Sequence, residues 1–284
     1  MIEDRPSETA FQVAAARAAH LRFDPAPHLL EDHHAEPLLG ESGPEMIAGY
    51  GDDAPWILLE NRLFLPLRAR LSEDRLVEAH ARGVGQLVIL GAGLDSFAWR
   101  QPKGLESLRI YEIDHPATQR WKAERLATLG WPLPANTRLV ACDFERMSAS
   151  QALSATDYDP NAPTFVSWMG VTYYLERSTA DAAMRDLVGM LAPGSEVLLD
   201  AMLPWEAMPE RYHAIRDAMV SYLKGAGEPH INRYRPDEIL EAATRAGFGG
   251  GAVLDRDELM RRYVTPSGST QRLSERFLLV ALER

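Results

Sequence analysis

Cysteine occurs once in 284 residues, at Cys142, which excludes an internal disulfide framework and a multi-cysteine zinc site. Acidic side chains outnumber basic ones, 41 to 30, for a formal net charge of -11. Such a field opposes a polyanion, and no nucleic-acid partner is expected. Only Lys103, Lys122 and Lys224 among the basic residues are lysines, a bias that says nothing of function. No apolar run approaches the ~20 residues that cross a bilayer. The strongest, at 165–175, is interrupted by Ser167, Gly170 and Thr172, so no membrane association is expected. The opening, Met1 to Glu8, is too acidic and polar for a signal or transit peptide, and a cytoplasmic location is the expectation. Internal repeats and low-complexity tracts are absent as well.

Hydrophobic residues make up 46% of the chain and charged residues 25%, as in an ordinary soluble globular protein. The first 83 residues read as a helical cap. Residues 10–19 are alanine-rich and suit a helix, stopped by Asp24-Pro25-Ala26-Pro27. Apolar residues at 59, 63 and 67 mark a second helix, which Pro66 should kink or end. Ser72 should cap a third, running through His80 to Gly83. Residues 84–203 form the expected core. Short apolar runs at 86–90, 108–113, 138–141, 164–167 and 196–201 are strand-like and alternate with amphipathic stretches. One of these is a helix with Ser178 as its N-cap and Met184, Leu187, Val188 and Leu191 on its apolar face. This alternation implies βαβ units and a parallel sheet. Residues 204–235 read as an irregular insertion over the site. Residues 236–284 supply a helix from Pro236 to Gly247 and two late strands, near 252–254 and 277–282. Together they predict a single α/β domain: a Rossmann-like, seven-stranded, mostly parallel sheet with helices on both faces.

The sharpest local signal is Val88-Ile89-Leu90-Gly91-Ala92-Gly93-Leu94-Asp95-Ser96, an apolar strand running straight into Gly-x-Gly. Glycines there permit a tight turn and let a ligand approach the backbone. Asp114 ends the next strand, where a carboxylate accepts hydrogen bonds from ribose hydroxyls. A dinucleotide fingerprint calls for a third glycine, but Ser96 stands in its place, and Asp95 would oppose a pyrophosphate. S-adenosylmethionine has no phosphate and carries a sulfonium and an ammonium, so the loop favours it over NAD or FAD. Without these companions a Gly-x-Gly is only a turn.

These residues resemble those of class I S-adenosylmethionine-dependent methyltransferases of the leucine carboxyl methyltransferase type, in their bacterial branch. The resemblance rests on residues 87–100, on Tyr111-Glu112-Ile113-Asp114-His115-Pro116, on Asp143-Phe144, and on Gly170-Val171-Thr172-Tyr173-Tyr174-Leu175. It implies that the last strand inserts antiparallel. It implies roles as well. Arg68 would clamp the cofactor's methionine carboxylate. Gly91, Ala92 and Gly93 would pass beneath the cofactor, and Asp114, with His115 beside it, would meet the ribose. Asp143 and Phe144 would meet the adenine, and Trp168 is expected among the cofactor-binding residues. Taken alone, Arg68 reads as a surface arginine, Asp143 as a turn residue and His115 as the residue before a helix-starting proline. Met169 stands where many relatives carry a glutamate, which removes a carboxylate and points to an apolar pocket.

Methyl transfer from a sulfonium needs proximity and alignment more than proton chemistry. An ionised carboxylate needs no base, whereas a phenol does. The expected activity is O-methyl transfer to a carboxylate of a small molecule or peptide, with no metal required. Methylation of a phenol or hydroxyl is the alternative; a nicotinamide-dependent oxidoreductase and a non-catalytic S-adenosylmethionine-binding partner protein are the readings from other classes. Candidate catalytic residues are Tyr174, expected to face the pocket while Tyr173 faces the core, and His230 from the insertion. Arg70 is a candidate cation for the acceptor, against its plainer reading as a solvated helix arginine. Asp32-His33-His34-Ala35-Glu36 reads as a polar loop, Cys142 as a small buried filler and Gly249-Gly250-Gly251 as a loop.

Overall fold

A computed structural model describes residues 6–269 and 271–284. Most of the acidic opening, residues 1–5, and Thr270 lie outside the described residues, and the targeting expectation falls largely on that opening.

Seven strands form one sheet in the order β3-β2-β1-β4-β5-β7-β6. They are β1 (Gln86–Leu90), β2 (Arg109–Asp114), β3 (Thr137–Ala141), β4 (Thr164–Trp168), β5 (Glu196–Met202), β6 (Gly250–Val253) and β7 (Phe277–Glu283). Strands β1 to β5 pair in parallel, and β7 inserts antiparallel between β5 and β6. Every residue of β1, β4 and β5 is buried. That is why these strands read as continuous apolar runs rather than alternating ones: a parallel sheet is covered on both faces. At β4 the two layers can be seen directly. Ser167 accepts a hydrogen bond from Ser72 Oγ (3.1 Å) of the long helix Trp56–Ala81. Its neighbour Trp168 points the other way, toward Ala183 and Leu187 of helix Arg177–Met190.

Three local expectations are corrected. Helix Trp56–Ala81 runs unbroken through Pro66. The proline forfeits one backbone bond, but Leu63, Phe64, Leu65 and Leu67 around it are all buried, and such packing overrides the local penalty. Ser72 therefore lies inside this helix and caps nothing. The helix at 177–190 opens after Glu176 with no side-chain cap, so Ser178 is already helical. Gly250 and Gly251 belong to β6, where a side chain at 251 would meet Leu282 at 2.7 Å. A strand without side chains carries no apolar signal, which is why β6 begins earlier than the sequence suggests.

The N-terminal helix Glu8–Phe23 is capped by Ser7, whose hydroxyl accepts from the Ala10 amide, and its tightly packed face is Ala14, Ala15, Ala18 and Ala19. It packs on helix Trp56–Ala81. Among the described residues no helix is long and apolar enough to cross a membrane.

Candidate active site

At the carboxyl ends of β1, β2 and β4 lies a cavity of about 490 Å³. This is the edge at which parallel sheets bind ligands, and the volume falls in the usual range for small-molecule sites, about 300–1,000 Å³. Arg68, Gly91, Ala92, Gly93, Asp114, His115, Asp143, Phe144 and Tyr174 all line it.

The glycine turn is fixed from beneath. The amides of Gly91 and Ala92 both donate to Ile113 O, at 2.8 and 3.1 Å. The Asp114 carboxylate takes the Gly93 amide on Oδ2 and its neighbour's, His115, on Oδ1, each at 2.6 Å. Burial raises the Asp114 pKa, outweighing these bonds. The Thr118 hydroxyl also bonds this carboxylate, which leaves about one of its four acceptor sites for a ligand. His115 uses Nδ1 to accept from the Ala117 amide at 3.3 Å, capping helix Pro116–Leu129. Asp95 turns away from the large cavity and takes the Phe97 amide instead (2.7 Å). Lys122 Nζ reaches the Asp95 carbonyl at 2.7 Å and pairs with the buried Glu112 carboxylate below. Burial pushes Glu112 up to about 6 despite that lysine.

Arg68 is buried, and its Nη1 donates to Asp200 Oδ2 (2.5 Å) and Tyr173 OH (3.3 Å). Burial alone would weaken its charge, but Asp200 keeps it firmly protonated. Asp200 also accepts the Gly170 amide at 2.7 Å, and its carbonyl takes the Thr172 hydroxyl at 2.6 Å. One carboxylate on β5 thus orients the arginine and the turn after β4. That turn is a short 3-10 helix, Thr172–Tyr174, in which successive side chains do not alternate as in a strand. Tyr173 and Tyr174 consequently both line the cavity, correcting the expectation that one would face the core. Burial pushes Tyr173 up to about 12 and Tyr174 well above its usual value, so both phenols stay protonated.

Three expected positions differ. His230 does not line the cavity. It sits behind the tyrosines, with ring centroids 4.6 Å from Tyr173 and 5.0 Å from Tyr174. Burial, with Arg233 and Arg276 nearby, pushes it down to about 3, too weak a base for a phenol. Trp168 is buried on the opposite sheet face and lines a separate cavity of about 220 Å³. One step along the strand, Met169 faces the main cavity. Arg70 lies off the cavity, pairing with Asp74 at 2.8 Å and donating to Leu29 O. Cys142 lines the cavity, its thiol pushed up to about 11 by burial and Asp143, so it stays protonated there.

The structure also brings in residues that carry no motif in the sequence. Thr9, Ala10, Val13 and Arg17 project from one face of the N-terminal helix into the cavity, and Gly227, Glu228 and Pro229 close it from the insertion. The two sides meet where Glu228 Oε2 accepts the Thr9 amide at 2.9 Å. Asp32, read as part of a polar loop, is 1% exposed. It accepts Arg17 Nε at 2.8 Å, with Arg100 Nε at 3.3 Å. Burial pushes its pKa up, but Arg17, Arg100 and the Ser96 hydroxyl outweigh it and hold the group at about 2, against 3.8 unperturbed. A folded value below the unfolded one stabilises the fold above pH ~4 and is lost as pH falls toward 2. The contribution is about 2 kcal/mol. The stability gap between wild type and Asp32→Asn, from denaturant unfolding, should therefore be constant from pH 7 to 5 and shrink toward pH 2. A gap that widens on acidification would contradict this.

The leucine carboxyl methyltransferase family matches the chain over residues 10–188. A Bacillus subtilis protein provisionally named as an S-adenosyl-L-methionine-dependent methyltransferase is 30% identical over 273 residues, covering 87% of this chain and 88% of that protein. A Mycobacterium marinum protein with the same provisional name is 33% identical over 210 residues, covering 68% and 63%. Among solved structures, a DUF574 family protein from Streptomyces avermitilis superposes with a TM-score of 0.61 over 100% of both chains at 14% identity. A provisionally assigned methyltransferase from Thermobifida fusca gives 0.59 over 99% and 96% at 15% identity. At such identities the likeness bears on the fold alone.

Proposed function

The chain belongs to the leucine carboxyl methyltransferase family, and from that premise we propose that it is an S-adenosylmethionine-dependent O-methyltransferase forming a methyl ester on an acceptor that arrives already ionised. The oxidoreductase alternative falls away with the family. The chain would act as one methyltransferase domain, its N-terminal helices and its insertion covering the pocket.

The cavity fits this cofactor. Arg68 suits a carboxylate, Asp114 suits ribose hydroxyls, and Asp143 with Phe144 suits the amine edge and face of an adenine. When bound, the cofactor supplies an activated methyl group on a sulfonium. The residues of the chain hold and align the partners and exclude water.

The observation that carries the carboxylate reading is that the tyrosines and histidines at the site supply no ready base, which leaves only the carboxylates of Asp114, Asp143, Glu145 and Glu228 on the cavity wall. Both tyrosines are protonated, His115 is committed to a helix cap, and His230 lies outside as a very weak base. Tyr173 accepts from Arg68 and so has its own proton to donate. It replaces Arg70 as the group that would receive an acceptor carboxylate. Met169, Val171 and Leu175 make the surrounding wall apolar, which suits a carboxylate on an otherwise hydrophobic molecule.

One observation favours a second reading, methylation of a phenol or alcohol. Glu228 lines the cavity, and only its Oε2 has a described hydrogen bond, leaving Oε1 to act as a base. Transfer of labelled methyl to carboxylate, phenol and amine libraries separates the readings. The expected product loses its label in mild base, as esters do, and forms at an unchanged rate in Glu228→Gln. A base-stable ether whose formation collapses in Glu228→Gln overturns the carboxylate reading and leaves the methyltransferase. Cofactor binding without methyl product on any acceptor would favour a non-catalytic partner protein.

A further inference from the structure

A second chamber, of about 80 Å³, adjoins the main cavity, and Arg17 and Arg68 line both, together with Gly91 and Met169. The two arginines come from the two packed helices Glu8–Phe23 and Trp56–Ala81. Each is buried, and each has a buried carboxylate behind it: Asp32 behind Arg17 at 2.8 Å, Asp200 behind Arg68 at 2.5 Å. Arg17 commits Nε to Asp32 and Nη2 to Leu94 O at 2.7 Å, within the glycine loop. Its Nη1 has no described partner, and its side chain lines both chambers. Arg68 commits Nη1 and keeps Nη2, beside Gly170.

We propose that Arg17 is the second half of a two-guanidinium clamp, with Arg68, that grips the carboxylate at the aminoacyl end of the cofactor. The inference rests on the cofactor reading above and extends it to a residue that reading does not use. A carboxylate has acceptor sites for two guanidinium donors at once, and charge-assisted bonds of this kind are the strong ones. The carboxylates behind the arginines hold each fork in place and balance its charge. Two balanced pairs suit a zwitterion, a carboxylate with an ammonium beside it. Two unbalanced arginines would instead suit a dianion such as a pyrophosphate. The Leu94 contact ties the clamp to the same loop that carries Gly91 and Gly93, so the N-terminal helix becomes part of the binding machinery and not only a cover.

The test compares S-adenosylhomocysteine with its decarboxylated counterpart, S-adenosyl-3-thiopropylamine, which keeps the adenosine and the amine. Calorimetric titration of Arg17→Gln should show affinity for the first falling by about 10- to 100-fold, the range for a lost charged partner. Affinity for the second should stay within about twofold. If Arg17 only braces the loop, both ligands weaken in parallel, and the clamp is overturned. It is overturned equally if neither ligand weakens. Should Arg17→Gln fail to fold, Arg17→Lys keeps the charge on Asp32 but loses the fork, and the same selective loss is expected. If the wild-type protein binds neither ligand, the cofactor reading fails and the clamp with it, an outcome distinct from parallel losses in the variants.

Discussion

Gly91→Ala is expected to lower the unfolding free energy by about 2–5 kcal/mol and to abolish cofactor binding. Two costs combine. Gly91 has φ +68°, a conformation that costs an L-residue about 1–2 kcal/mol. An added Cβ would also lie 2.2 Å from Val171 Cγ2, and forced overpacking costs about 1–3 kcal/mol more. The loop cannot rise to escape, because the amides of Gly91 and Ala92 are both bound to Ile113 O. In a thermal scan the loss corresponds to a fall of about 3–8 °C for a chain of this length. Val171→Ala separates the two costs. In that background Gly91→Ala should retain only the backbone cost, so the two substitutions together should be less destabilising than their sum. At Gly93, with φ +51° and Ala10 Cβ at 3.0 Å, the N-terminal helix can give slightly, and Gly93→Ala should cost less. Wild-type stability and affinity in Gly91→Ala would show that the turn does not carry this close approach.

The sheet was legible because its chemistry is local. Val88-Ile89-Leu90 and Val197-Leu198-Leu199 are buried on both faces as strands of a covered sheet, whereas the strand order, with β1 between β2 and β4, carries no such local signal. Helix continuity was less legible, because it is decided at a distance: Pro66 survives on the burial of its neighbours, which no window of sequence displays. The tyrosine turn misled for a related reason. Alternation is a rule for strands, and residues 172–174 had already left the strand.

At the site, the residues that touch the cavity were largely readable, because glycines and strand-end carboxylates are visible motifs. The residues that hold those residues were not. Asp32, Asp200 and Arg17 act through partners far away in sequence, with separations of 15, 132 and 77 residues in the bonds they make. A signal did exist. Asp200 is a carboxylate in the middle of the apolar run from Val197 to Met202, and Arg17 a lone cation in a run of alanines. A buried charge requires a counter-charge, so each announces a partner without naming it.

The Arg68–Asp200 pair gives the other large effect, and stability and binding should there part company. Asp200→Ala strands a buried guanidinium and the Gly170 amide, and removing one partner of a buried pair costs about 3–5 kcal/mol. Arg68→Met strands the carboxylate and should cost a similar amount. The double variant Arg68→Met/Asp200→Leu strands no charge. Apolar replacement of a whole buried pair is often neutral, so the main residual cost is the unmatched Gly170 amide, about 1–3 kcal/mol. Denaturant unfolding should therefore show the double variant more stable than either single one, with a coupling of at least about 2 kcal/mol. Losses that add to within about 0.5 kcal/mol would mean the pair is not an energetic unit. Cofactor affinity should behave differently. It should stay weak in the double variant, by about 10- to 100-fold, because the donor to the ligand carboxylate is gone however well the fold recovers. Restored folding with restored affinity would remove Arg68 from the cofactor site, while restored folding without affinity is the result that the position of Arg68, between Asp200 and the cavity, requires.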